Sequence, residues 1–265
     1  MISLISKARN ISAALGRSRA NAYRRRQPLV LINGLAEQAE SWFANTNVWR
    51  RDFDVHTPNI LAYDADAIHS RIDAGLPIDI DYLVEQLRVY LDSFVQKPTY
   101  NLVANSMGGK IALEFAARYP EKVAKLALLA PSGLGEKEQL PIIEGVRRGN
   151  TEAVVHSVFY KRTGLSPAIT EYFADRFANR RWRTGMLRTV QSTKKHSVRA
   201  RLAEVKVPTM LVVGAEDRIV DPTESITAAE GLSHVKTIVI PKCGHAPQIE
   251  RAKFINRLVA DFMAG

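Results

Sequence analysis

Apolar residues in this chain come in short bursts of strand length, separated by stretches whose apolar positions recur at helical spacing. Pro28 to Asn33 is an apolar run that stops at Gly34, as a strand buried on both faces would. Phe53 to Thr57, Tyr100 to Ala104, Val123 to Ala130, Thr209 to Val213 and Thr237 to Ile240 read as five further strands. Between them, Leu83, Leu87 and Leu91 mark a helix over Asp81 to Gln96 that Lys97-Pro98 stops. Lys110 to Tyr119 is a helix ended by Pro120, and Ala252 to Met263 is a closing one. This alternation predicts an α/β fold with a doubly wound, mostly parallel sheet.

Two segments break the rhythm. Residues 135–206 carry helix-like stretches (Thr151 to Tyr160, Pro167 to Asn179, Trp182 to Lys195) and no strand. They predict a helical cap inserted into a core formed by 28–134 and 207–265. Residues 1–27 form an arm in which Leu4, Ala8, Ile11 and Leu15 make an apolar stripe among Lys7, Arg9, Arg17 and Arg19. The arm reads as a solvated terminus, a helix docked on its own domain, a transit peptide, or a basic amphipathic segment that lies on anionic membranes. A secretory signal is not expected, because Lys7 and Arg9 interrupt its apolar region.

Composition narrows the class. With 265 residues, 46% apolar and 24% charged, the chain fits a globular protein rather than a disordered one. No apolar run approaches the roughly 20 residues that a membrane span needs. The single cysteine, Cys243, excludes an internal disulfide and a cysteine-based zinc site, and it fits a cytoplasmic location. The net charge of +10 is uneven: residues 1–36 hold seven basic residues and no acid, and residues 136–206 hold fifteen basic against seven acidic. The rest is net acidic. A segmental pattern without a nucleic-acid-binding motif argues against nucleic acid as partner.

The chemistry concentrates at Ala104-Asn105-Ser106-Met107-Gly108-Gly109. A strand that turns sharply into a helix holds Ser106 in strained backbone, and small residues two positions either side let strand and helix approach, which is a nucleophile elbow. A phosphate-binding loop would need glycine at Ala104 and a hydroxyl at Ile111, and both are missing. Serine needs a histidine to take its proton and an acid to orient that histidine. Asp217, in a loop after the Thr209 strand, and His245, just after the Thr237 strand, follow in the order Ser, acid, His. Glu216 and Asp221 are neighbouring acids that compete with Asp217 for the role. His56, His69, His156, His196 and His234 read as structural or exposed. The Met107 N–H at the helix start and the Leu35 N–H after Gly34 are the candidate oxyanion donors, each worth roughly 3 kcal/mol in the transition state.

These motifs, with Asn-Gly-Leu at 33–35, Gly-Ala-Glu-Asp-Arg-Ile-Val at 214–220 and Cys-Gly-His-Ala-Pro-Gln at 243–248, resemble the α/β-hydrolase superfamily from Pro28 to Met263. Asn105 to Gly109 and Ala130 to Gly135 resemble its meta-cleavage product hydrolases, which split carbon–carbon bonds, although Ala246 stands where those have an aromatic residue. Related carboxylesterases share the same motifs. Members usually have His-Gly where this chain has Asn33-Gly34, and begin with a β-hairpin for which 28 residues leave little room. By the same resemblance Arg176 or Arg180 of the cap would hold a substrate carboxylate, and Asn33 and Asn105 are further substrate-binding candidates.

The expected activity is a serine hydrolase that needs no metal or cofactor and acts on a small ester, with an anionic substrate favoured by the basic cap. Carbon–carbon hydrolysis of a ketone is the enzymatic alternative. A non-catalytic binding protein on the same fold is the other, disfavoured by the complete Ser, Asp and His set.

Overall fold

Strand, helix and strand recur because each apolar run has both faces to bury. The computed structural model describes residues 26–35, 37, 39–135, 141–148, 150–161 and 167–265. The arm's apolar stripe and all its basic residues but Arg26 lie outside them. Six strands, β1 (Pro28–Ile32), β2 (Asp54–His56), β3 (Tyr100–Asn105), β4 (Val123–Leu129), β5 (Thr209–Gly214) and β6 (Val235–Ile240), form one sheet in the order β2-β1-β3-β4-β5-β6. All neighbours pair in parallel.

Helix α1 (Thr46–Trp49) precedes β2, while α2 (Asp66–Asp73) and α3 (Ile80–Tyr90) precede β3. Helix α4 (Met107–Arg118) joins β3 to β4. The insertion between β4 and β5 holds α5 (Pro141–Arg148), α6 (Thr151–Val158), α7 (Pro167–Ala178) and α8 (Arg180–Thr193). Helix α9 (Pro222–Ala229) links β5 to β6, and α10 (Pro247–Glu250) and α11 (Ala252–Ala264) close the chain.

The two-residue period of the strands divides the core. Val30, Ile32, Leu102, Ala104, Leu126 and Leu128 face α3, α4 and the insertion. Leu29, Leu31, Val103, Ala127, Leu129 and Met210 face Trp42, Trp49 and the Ile255–Val259 side of α11. Each fully buried aliphatic side chain adds about 1.5–3 kcal/mol, so the sheet centre is the stable frame on which the loops at its C-terminal edge are hung.

Several boundaries differ from expectation. The helix expected over Asp81 to Gln96 is α3 plus one wide π-type turn at Leu91–Val95, ended by Gln96 in left-handed backbone with φ 52°. Helix α4 begins at Met107, three residues early, because glycines at its start bring it under the sheet edge. The polar helix α2 and the Pro-initiated α9 carry too little apolar periodicity to be predicted. Strand β6 gains Val235 and Lys236, half or fully exposed at the sheet's edge. Among the described residues no hairpin precedes β1 and no helix is long and apolar enough to cross a membrane.

A buried carboxylate ties the insertion's exit to α4. Glu114, 1% exposed, accepts from His196 Nε2 at 2.8 Å and Arg201 Nη1 at 2.8 Å, and pairs with Arg118 Nη2 at 3.2 Å. Burial pushes its carboxyl up, but the hydrogen bond from His196 and the charges of His196, Arg201 and Arg118 outweigh that and hold it below the usual range. A depressed carboxyl contributes stability that is present above the unfolded carboxylate value and lost as pH falls through the folded one. Glu114→Gln is therefore expected to cost about 2 kcal/mol at pH 7, the part-exposed cations keeping it below a fully buried pair. Urea melts of both proteins should show the gap closing as pH is lowered into the acid range.

Candidate active site

The turn after β3 is the most constrained point of the backbone. Ser106 sits at φ 51° and ψ −121°, outside the regions that ordinary residues occupy. Its N–H donates to Leu129 O at 3.1 Å, and its carbonyl accepts from Gly109 N at 2.8 Å and Ser132 N at 2.9 Å, so neighbouring strands hold the strain in place. The small residues around it are there for contact. A Cβ on Gly108 would strike Ile32 O, one on Gly109 would strike Pro131, and one on Gly34 would come within 2.9 Å of Ser106 Cβ.

Ser106 Oγ and His245 Nε2 are 2.8 Å apart, and His245 Nδ1 is 2.8 Å from Asp217 Oδ2. The other Asp217 oxygen accepts from Ile219 N at 2.8 Å and Val220 N at 3.1 Å, which fixes the carboxylate plane. All three side chains are buried. Their loops meet because Gly214 lets the end of β5 lie against Cys243 and Gly244, where any side chain would clash.

The competing acids are used elsewhere. Glu216 Oε2 accepts from Cys243 N at 3.0 Å and so clamps the loop before His245, while Asp221 caps α9 through Thr223 N and Glu224 N. Cys243 is no second nucleophile, since burial, helped by the charge of Glu250, pushes its thiol up to about 12. His196 serves Glu114, and no described histidine other than His245 lines the Ser106 cavity.

The residues of the candidate oxyanion donors line the same cavity as Ser106. The Met107 N–H opens α4 and has no carbonyl one turn back to bond. Leu35 shares the cavity wall with Met107 and Ser106. Asn33 braces that loop, its Nδ2 donating to Glu37 O at 2.6 Å and Gly34 O at 3.2 Å. Asn105 Nδ2 donates to Leu129 O at 2.8 Å and His245 O at 3.3 Å, linking the elbow to the histidine loop. Both asparagines thus hold backbone, and Asn105 also reaches the cavity.

The insertion supplies the far wall through Val158, Phe173, Val190, Thr193 and Lys194. The structure does not bring Arg176 or Arg180 there. Arg180 is exposed, and Arg176 stacks over the Tyr172 ring at 5.1 Å. The cationic side chains in the wall are instead Lys110, buried on α4 with Nζ 3.5 Å from Thr193 O, and Lys194.

The segment after α6 is also stitched to the histidine loop. His245 N donates to Val158 O at 2.8 Å, and Glu250 accepts from Tyr160 N and Gly244 N at 2.8 Å each. Glu37, Lys110 and Glu250 escaped the sequence reading. Glu37 had one available signal, being the first acid in the chain and two residues from a candidate oxyanion donor.

A family model for the α/β hydrolase fold matches residues 27–252. The chain is 25% identical over 256 residues to the monoacylglycerol lipase ABHD6 of Mus musculus, covering 89% of this chain and 75% of that one. It is 32% identical over 178 residues to a 2-hydroxy-6-oxo-6-phenylhexa-2,4-dienoate hydrolase of Burkholderia cepacia, covering 62% of each. Among solved structures, a bacterial membrane phospholipase A superposes with a TM-score of 0.77 at 22% identity, over 91% of this chain and 79% of that one. With the family model spanning both the Ser106 elbow and the His245 loop, the chain belongs to the α/β-hydrolase family of enzymes.

Proposed function

We propose that this α/β-hydrolase is a serine hydrolase of carboxylic esters, with Ser106 as nucleophile, His245 as general base and acid, and Asp217 as the group that orients His245. The observation that carries this reading is the continuous hydrogen-bonded chain from Ser106 through His245 to Asp217, at 2.8 Å per link, on a serine held in strained backbone. In this reading His245 removes the Ser106 proton as Oγ attacks the ester carbonyl. The N–H groups of Leu35 and Met107 then receive the oxyanion. His245 passes the proton to the departing alcohol, and water, activated by the same imidazole, releases the acid from Ser106. The insertion, 135–206, acts as a cap whose apolar residues enclose the acyl half.

The monoacylglycerol lipase among the relatives supports this bond type. A second reading, carbon–carbon hydrolysis, is favoured by one observation: Lys110 and Lys194 in the cavity wall would meet a dienoate carboxylate. Against it stand the buried carboxyl of Glu37 in the same wall and the small Ala246 after the histidine.

Ser106→Ala should lower hydrolysis of p-nitrophenyl butyrate by at least about 10³-fold with an unchanged melting curve. Turnover retained in the folded variant would end the assignment of Ser106. A parallel assay with a yellow ring-fission dienoate separates the two bond types: the ester reading expects ester turnover and persistent yellow absorbance. Bleaching of the dienoate with inert esters would transfer the assignment to carbon–carbon cleavage.

A further inference from the structure

Several cations of the insertion have partners. Arg181 holds Asp66, and Arg201 and His196 hold Glu114. Arg183 donates to Phe177 O, and Arg176 lies over the Tyr172 ring. Three others make no ion pair among the described residues: Arg147 of α5, Arg188 of α8, and Lys194 at the end of α8.

These three meet in one place. They line a groove of about 390 Å³ between α5 and α8, together with the apolar Ile143, Leu187 and Val190. Ligand pockets run from about 300 to 1,000 Å³, so the groove is large enough to hold part of a small molecule. No Asp or Glu is among the residues that line it. Arg147 and Arg188 are exposed, and Arg188 Nη1 has only a long bond to Gln191 Oε1 at 3.4 Å. Cations that share one cleft repel each other and concentrate anions there. Arginine in particular meets a carboxylate through two parallel hydrogen bonds.

The groove also adjoins the candidate catalytic residues. Val190 and Lys194 line both it and the cavity that contains Ser106 and His245, so the two spaces meet at the last turn of α8. Lys110, in the wall of the cavity, does not line the groove, which makes the groove a second cationic place outside that wall. A hydrocarbon surface beside a cluster of cations suits a chain that ends in an anion.

We propose that this groove binds a carboxylate carried by the substrate at the end of a chain remote from the reacting ester, with Arg147, Arg188 and Lys194 as its partners. The enzyme thereby selects esters with a distal carboxylate over uncharged analogues of the same length. The inference rests on the ester-hydrolase reading above.

The test uses two pairs of esters, one for each half of the substrate. The first pair is the p-nitrophenyl esters of suberic acid and of its monoamide. The second is the butyrate esters of 6-hydroxyhexanoic acid and of its amide. Within each pair only a terminal carboxylate is exchanged for an uncharged amide. Wild type should favour the carboxylate in at least one pair by about 10-fold or more in kcat/KM. That preference should shrink as salt is raised, because charges at an exposed site are screened. The double variant Arg147→Gln, Arg188→Gln should bring the ratio to within about 3-fold of unity, whatever happens to the absolute rates. Lys195→Gln, which removes an exposed cation of the same segment outside the groove, should keep the wild-type ratio. Should the double variant fail to fold, Arg188→Gln alone carries the comparison with a fall of about 3-fold. Wild-type ratios near unity in both pairs would overturn the carboxylate site. So would a preference that Lys195→Gln lowers as far as the groove variants do. Inactivity of wild type on all four esters and on p-nitrophenyl butyrate would instead overturn the ester-hydrolase reading on which the site rests.

Discussion

The geometry of the site depends on the contact between the end of β1 and the start of α4. Gly108 meets the carbonyls of Ile32 and Asn33 there with no room for a side chain, and Gly34 meets Ser106 in the same way. Those contacts hold Ser106 at φ 51° and bring Leu35 and Met107 to the cavity that Ser106 lines. A strained residue persists only where its surroundings over-determine it. Here two strands, a helix start and the Ser132 N–H do so. The histidine loop then reaches the hydroxyl because Gly214 repeats the device on β5.

The uneven charge acquires a physical meaning. The basic insertion is fastened to acidic or polar points of the core: Arg181 to Asp66, and Arg201 and His196 to Glu114. In the reverse direction, core Arg218 donates to the carbonyls of His156 and Phe159 in the insertion. Exposed pairs of this kind contribute little each, whereas the buried Glu114 contributes more because two arginines and His196 meet on it. Arg181, Arg201 and His196 of the insertion are thus employed in attachment. Only Lys110 and Lys194 bring positive charge to the cavity wall among the described residues, and they face a wall that also contains Glu37.

How legible this was in the sequence follows from which interactions are local. All six strands were legible: β1 and β5, buried throughout, are continuous apolar runs, while the part-exposed edge strands β2 and β6 show as short stretches rich in β-branched residues. The Ser106, Asp217 and His245 positions were legible because a turn with small neighbours and two strand ends leave local marks. Helices α2 and α9 were not, for α2 buries only Ile68 and α9 buries the small Ser225, Ala228 and Ala229, so neither carries a stripe of large apolar residues. Glu216 could not be separated from Asp217 by spacing, because its partner, the Cys243 N–H, is 27 residues away. The cap arginines were misread for a related reason. Which helical side chains reach a cavity depends on how α7 and α8 pack, and Trp182, Phe177 and Tyr63 set that packing through ring contacts across the chain.

The central claim is that Ser106 becomes acylated during turnover. Acid quenching of the enzyme under steady-state hydrolysis of an activated acetate ester, followed by peptide mass spectrometry, tests it most directly. The account predicts one acetyl group on the peptide carrying Ser106, appearing in the pre-steady state and absent when Ser106 is replaced. Turnover with no adduct on that peptide, or an adduct that persists on another residue after Ser106→Ala, would contradict it.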